Sequence, residues 1–232
     1  MKPRLLISIP LIASALLIQG QAAGKANDGQ KTKVEMTDTQ TIPFVSRGEI
    51  DFKGSYGEVR VEGWDRPEVV ITISRSLRAD DTPADRAKKQ ERLKDVKVAA
   101  TRQSDKLVIS ASAPSPWFHS SIQLVYDLKV PRESDLHIKF GAGEITSNNV
   151  VGEINITEHA GEISVALPEG EYAIDAKARI GDVTSQFPVR ARRPNLLGAT
   201  ATGTKGVESP SVYLRVGVGE INVTKVKPKT AA

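Results

Sequence analysis

Apolar residues recur at every second position in many short stretches of the chain. The alternation is clear in Ile154-Asn155-Ile156, Ile163-Ser164-Val165 and Ile221-Asn222-Val223. A period of two places the apolar side chains on one face of a half-buried strand. The pattern therefore predicts an all-β protein built from many short strands.

A repeat organises these strands. Its unit is a glycine, then an acidic residue, then a hydrophobic residue, and between residues 143 and 170 it recurs at steps of nine residues. Nine residues accommodate a strand of about five residues and a turn of about four. Glycine suits the turn because it adopts positive φ without a steric penalty. The units begin at Gly48, Gly57, Gly143, Gly152, Gly161, Gly170, Gly181 and Gly219.

Two architectures satisfy this pattern over residues 135–187. One is a solenoid in which each coil lies on the previous one, and the other is an antiparallel meander or sandwich. Near-constant spacing favours the solenoid, because equivalent positions of successive coils must superpose. We expect Ile145, Ile154, Ile163 and Val183 to share one dry interior.

The remaining chain divides into several segments. Residues 1–22, with basic Lys2 and Arg4 before an uncharged stretch, are typical of a secretory signal peptide, and an uncleaved membrane anchor is the alternative. Residues 23–40 are polar and predict a flexible leader. Further predicted segments are an N-terminal β region at 41–135, a β-repeat region at 136–226 and a tail at 227–232.

One helix is predicted within the N-terminal region, near residues 83–94. Thr82 supplies an N-cap and Pro83 fits the first turn. The helix carries many charges and only a thin apolar face, so it is either a solvated connection on the sheet surface, which we favour, or a basic docking helix.

The chain resembles an exported bacterial β-strand-repeat family of putative adhesins, related to the putative autotransporter adhesin head domain. The resemblance rests on the segment from Tyr56 to Asp65 (YGEVRVEGWD), on Leu128-Lys129-Val130-Pro131 and on the repeat between Gly143 and Val183. It covers roughly residues 42–224. The resemblance implies a right-handed β-solenoid-like fold, an envelope or extracellular location and no established activity. The predicted helix departs from the simplest repeat pattern.

Candidate chemistry is sparse. Cysteine is absent, which removes disulfides, thiolate metal sites and cysteine nucleophiles. The three histidines, His119, His137 and His159, show no metal-ligand spacing and predict no zinc site. No catalytic, cofactor-binding or metal-binding residue is therefore assigned, and no cofactor is expected.

The repeated carboxylates could form edges. If a coil holds two nine-residue units, Glu144, Glu162 and Asp182 stack on one edge and Glu153 and Glu171 on another. Such edges could bind calcium, but the glycine-rich aspartate loops of calcium-binding β-rolls are missing, so solvated or Lys/Arg-paired carboxylates are favoured.

Aromatic residues offer one further alternative. Trp64 and Trp117-Phe118 could form a sugar-binding surface, although core or loop-anchoring roles are favoured for them. Aromatic residues make up only 5% of the chain, and removal of residues 1–22 would leave 30 basic against 28 acidic residues. Neither feature favours nucleic acid as a partner.

The sequence thus predicts an exported, non-enzymatic, adhesin-like β-repeat protein with a binding or scaffolding surface in the periplasm, the cell envelope or outside the cell. Its partner would be an envelope protein or a glycan, and it would meet a membrane only through the signal peptide. The alternative is an envelope carbohydrate-binding module or carbohydrate-processing enzyme.

Overall fold

The computed structural model describes residues 32–79, 82–113, 122–193, 197–203 and 209–226. The predicted signal peptide, the tail and Trp117, Phe118 and His119 lie outside these residues. Within them, no helix is long and apolar enough to cross a membrane. The elements are β1 (Thr32–Pro43), β2 (Glu49–Trp64), β3 (Glu68–Ala79), α1 (Pro83–Leu93), β4 (Lys97–Gln103), β5 (Lys106–Ser112), β6 (Gln123–Pro131), β7 (Asp135–Asn148), β8 (Ile154–Leu167), β9 (Ala173–Ile180), β10 (Val183–Ser185), β11 (Val189–Arg192), β12 (Ala199–Gly203) and β13 (Ser211–Lys225).

Parallel pairing of the long strands forms the centre of the fold. The strand order is β2, β7, β8 and β13, and the register aligns Gly57, Gly143, Gly161 and Gly219. The step from Gly143 to Gly161 is two nine-residue units, so one coil holds two units. The expected all-β, β-solenoid-like fold with one helix is confirmed.

The aligned glycines form a corner that divides each long strand into a first arm before the glycine and a second arm after it. Gly181 joins the stack beside Gly219, and all five glycines have φ between 125° and 148°. A Cβ on Gly143, Gly161, Gly181 or Gly219 would lie 1.7–1.9 Å from the carbonyl oxygen of the neighbouring glycine. The corner therefore excludes every side chain larger than hydrogen.

The corner corrects the predicted strand length. We expected a glycine turn before each short strand, yet β7 runs without interruption through Gly143 for 14 residues, and β8 runs likewise through Gly161. A glycine at positive φ bends the backbone while the ladder of hydrogen bonds to the next coil continues on both sides. Gly48 and Gly152 do precede strands, as predicted.

The interior is formed by the inward-facing residues of both arms. Ile145, Ile154 and Ile163 are at most 1% exposed, and Val183 is half-buried, so the predicted shared core is confirmed. Three aromatic rings pack together in the interior near β6. The ring centroid of Phe52 lies 5.4 Å from that of Tyr126 and 6.2 Å from that of Phe140.

The N-terminal strands continue the same sheet. The second arm of β2 pairs with β6, followed by β3 and β1, whereas its first arm also pairs with β5 and then β4. Since β2 and β7 pair along almost their full length, the stack begins at β2 and crosses the predicted boundary at residue 135.

The predicted leader is wrong for its last residues. β1 begins at Thr32 and pairs antiparallel with β3 along its length. Only Val34 and Met36 contribute apolar side chains there before residue 42, so the alternation is faint in the sequence. An ion pair between Asp38 and the buried Arg75 of β3 supplies an additional contact.

The order of the last coils also differs from the expected one. β13 lies between β8 and β9, so consecutive strands in the sequence do not pair at this point. The corner glycines Gly161 and Gly181 are 20 residues apart instead of 18. The regular step thus ends between β8 and β9, where β13 is inserted between the two strands. As a consequence Glu171 precedes β9 and is not aligned with Glu153, and that predicted edge does not form.

The helix confirms its prediction. The Thr82 hydroxyl accepts a hydrogen bond from the Asp85 amide at 3.2 Å, as expected for an N-cap. Leu93 is fully buried against the sheet, whereas most other helical residues are exposed.

We expect Gly143→Ala to destabilise the fold by about 2–4 kcal/mol, because its methyl group would overlap the Gly57 carbonyl and its φ of 148° is unfavourable for alanine. The matched control is Gly170→Ala, in another Gly-Glu unit, where the nearest atom to a new Cβ is 3.4 Å away. Chemical denaturation followed by circular dichroism measures both. Equal stability of the two variants would contradict the corner's role.

Candidate functional site

A row of carboxylates follows the glycine corner on the outer face of the second arms. Each member comes directly after a corner glycine, and the register aligns them across the stack. The predicted alignment of Glu144 with Glu162 is therefore present, and Asp182 lies at the end of the row. This acidic row consists of Glu58, Glu144, Glu162, Glu220 and Asp182.

Most of the acidic row is engaged with neighbouring side chains. Glu58 and Asp182 form ion pairs with Arg60 and Arg193. Glu162 accepts hydrogen bonds of 3.0 Å from Ser164 and from Asn222. These contacts favour paired carboxylates over the calcium alternative. The metal-capable trio found among the described residues lies elsewhere.

That trio is Glu49, Asp51 and His137, on the first arms of β2 and β7. Their ligand atoms lie within 4.8 Å of one another. His137 Nδ1 is 3.1 Å from a Glu49 oxygen and 3.2 Å from an Asp51 oxygen. The ammonium group of Lys106 lies 2.7 Å from a carboxylate oxygen of each acidic residue. A metal ion would therefore have to displace a cation that the chain itself supplies.

The charges of this cluster stabilise one another. Burial alone would raise the pKa of Asp51, but Lys106 and His137 outweigh it and hold that pKa below its usual value. Hydrogen bonds to Asp51 and Glu49 raise the pKa of Lys106. The cluster is thus an ionic network in which Lys106 bridges the two carboxylates and His137 Nδ1 lies beside both.

A second row, of cations, crosses the outer face of the first arms. Each of its members in the long strands lies four residues before a corner glycine, and the row continues onto β11. Thr157 and Thr200 occupy the intervening levels. Most of its side chains are exposed. This basic row consists of Lys53, Lys139, Arg215, Lys177 and Arg192.

Glu158 is a buried carboxyl group near the corner. It is 2% exposed, and its register neighbours are Phe140 and Val216. Among the described residues, neither of its oxygens has a partner for a well-formed hydrogen bond. Burial raises the pKa of Glu158 to about 8, and the backbone amide of Gly143 opposes this rise to a smaller extent. The group lies in the interior and cannot contact a ligand on the outer face.

An open groove of about 550 Å³ lies on the second arms, lined in part by Arg60, Asp127 and Thr146. Trp64 lies near it, because the ammonium of Lys129, another lining residue, is 5.7 Å from its ring centroid. The Trp64 indole donates to the Glu68 carbonyl oxygen at 2.9 Å. This bond supports the expected loop-anchoring role.

The other predicted candidates that fall within the described residues do not form a common site. His159 Nδ1 is 3.3 Å from the Phe140 carbonyl oxygen and lies apart from the His137 cluster. Sequence reasoning missed the basic row and the partners of His137. A cation four residues before each of Gly57, Gly143, Gly181 and Gly219 is the signal that could have revealed the row. The Lys106 contacts depend on β5, which lies outside the repeat.

Comparison with known proteins identifies related sequences and folds. The profile of the family described as Toastrack DUF4097 matches residues 23–224. No curated protein matches the sequence. The structure of a putative cell adhesion protein from Clostridium sporogenes ATCC 15579 is similar, with 13% identity, a TM-score of 0.54, and coverage of 84% of this chain and 100% of that chain.

A putative adhesin from Bacteroides fragilis NCTC 9343 is 11% identical over 81% of this chain and 97% of that chain, with a TM-score of 0.27. The likeness to the Clostridium protein supports the fold alone, and the lower score of the Bacteroides protein adds no argument.

We expect Glu158→Gln to reduce the pH dependence of stability. The pKa of this carboxyl is raised from 4.5 to about 8 on folding, so its contribution is complete below pH 4.5 and is lost as the pH rises toward 8. The free energy of unfolding in urea should fall between pH 5 and pH 8 in the natural protein and fall less in the variant. Glu144→Gln, on the exposed acidic row, is the control. Identical slopes in the natural protein and in Glu158→Gln would refute this.

Proposed function

This chain belongs to the Toastrack DUF4097 family, and from its fold and outer face we propose that it is an exported, non-enzymatic protein that presents a binding or scaffolding surface. The surface would act in the periplasm, in the cell envelope or outside the cell. Its partner would be an envelope protein or a glycan.

The observation that carries the proposal is the order of charge on the outer face. The acidic row and the basic row run in register on either side of the glycine corner. Adjacent strands are about 4.8 Å apart, so like charges on neighbouring coils repel one another. Outward side chains contribute little to the core, and their ordering by sign is therefore better explained by recognition than by stability.

The ionic cluster also favours binding over catalysis. A general base or a metal ligand needs access to its substrate. In the cluster, Lys106 contacts both Glu49 and Asp51, and His137 is directed at the same carboxylates. The groups that could carry acid–base chemistry are engaged with one another.

Adhesion, the role in the name of the Clostridium protein, is one form that such a binding function would take. An extended open sheet offers a broad face, which suits adhesion. The alternative function is a carbohydrate-binding module or a carbohydrate-processing enzyme. The observation that favours it is the open groove beside Lys129 and Trp64.

We expect cell fractionation to recover the protein outside the cytoplasm, with Ala23 as its first residue. The basic residues Lys2 and Arg4 and the following uncharged stretch would direct export and then be removed. Amino-terminal sequencing of the envelope and medium fractions measures this. Recovery in the cytoplasm with an intact amino terminus would refute export.

We expect photo-crosslinking to report contacts from the outer face. A benzophenone amino acid is placed at Asn155 on a first arm or at Thr146 on a second arm, with Lys88 on α1 as the control position. All three lie away from the core. In cells that encode the protein, discrete crosslinked products should form from one or both arms and not from α1.

Products from all three positions, or from none, would contradict the proposal. A product that forms from Thr146 alone, and whose added mass is removed by glycan hydrolases, would favour the carbohydrate alternative.

A further inference from the structure

The basic row is not compensated by acidic residues. Lys53, Lys139, Lys177 and Arg192 form no ion pair with any residue in the described part of the chain. Arg215 differs, since its guanidinium donates to the Asp175 carboxylate at 2.6 Å.

The carboxylates two residues before Lys53 and Lys177 have cationic partners elsewhere. Asp51, two residues before Lys53, contacts Lys106 and His137. Asp175, two residues before Lys177, contacts Arg215. Lys53, Lys139 and Lys177 are therefore exposed cations without an ion-pair partner among the described residues.

The surface between the basic row and the corner contains no carboxylate. Two residues after each level of the row lie Ser55, Gly141, His159, Gly217 and Arg179, and the exposed residues directly before the corner are Ala142, Ala160, Val218 and Ile180. A Cβ at Gly141 or Gly217 would lie 2.1–2.4 Å from a neighbouring carbonyl oxygen, so only glycine fits at these positions. No side chain covers the backbone there. A ligand can thus approach the sheet closely beside the cations.

We propose that the basic row binds a linear polyanion, a polymer that carries phosphate or carboxylate groups along its length. This inference rests on the proposed binding function and names the ligand class. The row crosses seven strands from β2 to β11, which corresponds to about 29 Å. Anionic groups spaced at about 5–10 Å could meet successive cations along it.

The acidic row gives the site a boundary. It begins one residue after the corner, and its members without an ion pair among the described residues, Glu144, Glu162 and Glu220, would repel a polyanion from the second arms. A second copy of this chain could instead offer its acidic row to the basic one. A polymer is favoured because Glu58, Glu162 and Asp182 already have partners within their own chain.

The test uses the purified protein and three probes: long-chain polyphosphate, polygalacturonate and neutral dextran. The variant combines Lys53→Gln, Lys139→Gln and Lys177→Gln. The matched control combines Lys88→Gln, Lys89→Gln and Lys97→Gln on α1 and β4, which changes the net charge equally. Binding is measured by titration calorimetry at low and at raised salt, and melting temperatures verify that both variants fold.

We expect the protein to bind at least one polyanion and not dextran, with affinity falling as salt rises. The variant should lose at least about tenfold in affinity and the control less than about threefold, and the salt slope should fall in the variant. Preference between phosphate and carboxylate polymers identifies the source.

Equal losses in variant and control would overturn the proposal, since net charge alone would then explain binding. Absence of polyanion binding would overturn it as well, and dimers that form at low salt and vanish in the variant would assign the row to a second copy. Crosslinks from the outer face that persist in any of these cases would leave the proposed function standing and refute the polymer alone.

Discussion

The close approach of backbone at the glycine corner sets the geometry of the molecule. A Cβ on Gly143 would lie 1.8 Å from the Gly57 carbonyl oxygen, and Gly161 and Gly219 repeat this contact one and two levels further. No rearrangement of a flexible side chain can relieve such an overlap, because the obstructing atoms belong to the backbone. The glycines therefore set the register between coils. This register determines which residues of successive coils lie side by side.

The corner also decides which side chains face outward. Lys139 and Glu144 are five residues apart, so in a flat strand they would point to opposite faces. In β7 both are exposed, while Ile138 and Ile145 are buried. The glycine between them resets the alternation, as an irregularity in a strand does. The two charged rows can therefore share one outer face while both arms of the strand fill one interior.

The sequence predicted much of this arrangement because the interior is regular. The nine-residue step and the alternating aliphatics identified the buried isoleucines, and Thr82 marked the helix start. That one coil holds two units was only a premise until the register aligned Gly143 with Gly161. Glycine at positive φ suits both a turn between two strands and a corner within one strand. The sequence pattern alone therefore could not show that β7 and β8 continue through their glycines. The position of β13 depends on pairing between residues 58 apart, with β8, and 38 apart, with β9, which no local signal encodes. Glu158 was missed because a buried, unpaired carboxyl contradicts the rule by which a strand residue is assigned to the core.

The two rows differ in how the chain treats their charge, and this difference bears on function. Three members of the acidic row are paired with nearby basic or polar groups, so that row is largely satisfied within the molecule. The lysines of the basic row are exposed and have no ion-pair partner among the described residues. Lys106, on the neighbouring strand β5, differs because its ammonium group contacts both Glu49 and Asp51. On β11, an edge strand, Arg192 also discourages pairing with another chain, because a charged edge resists strand addition. That effect explains the edge alone. Lys53 and Lys139 lie on central strands, where no edge needs protection, and their uncompensated charge is consistent with a partner outside the chain.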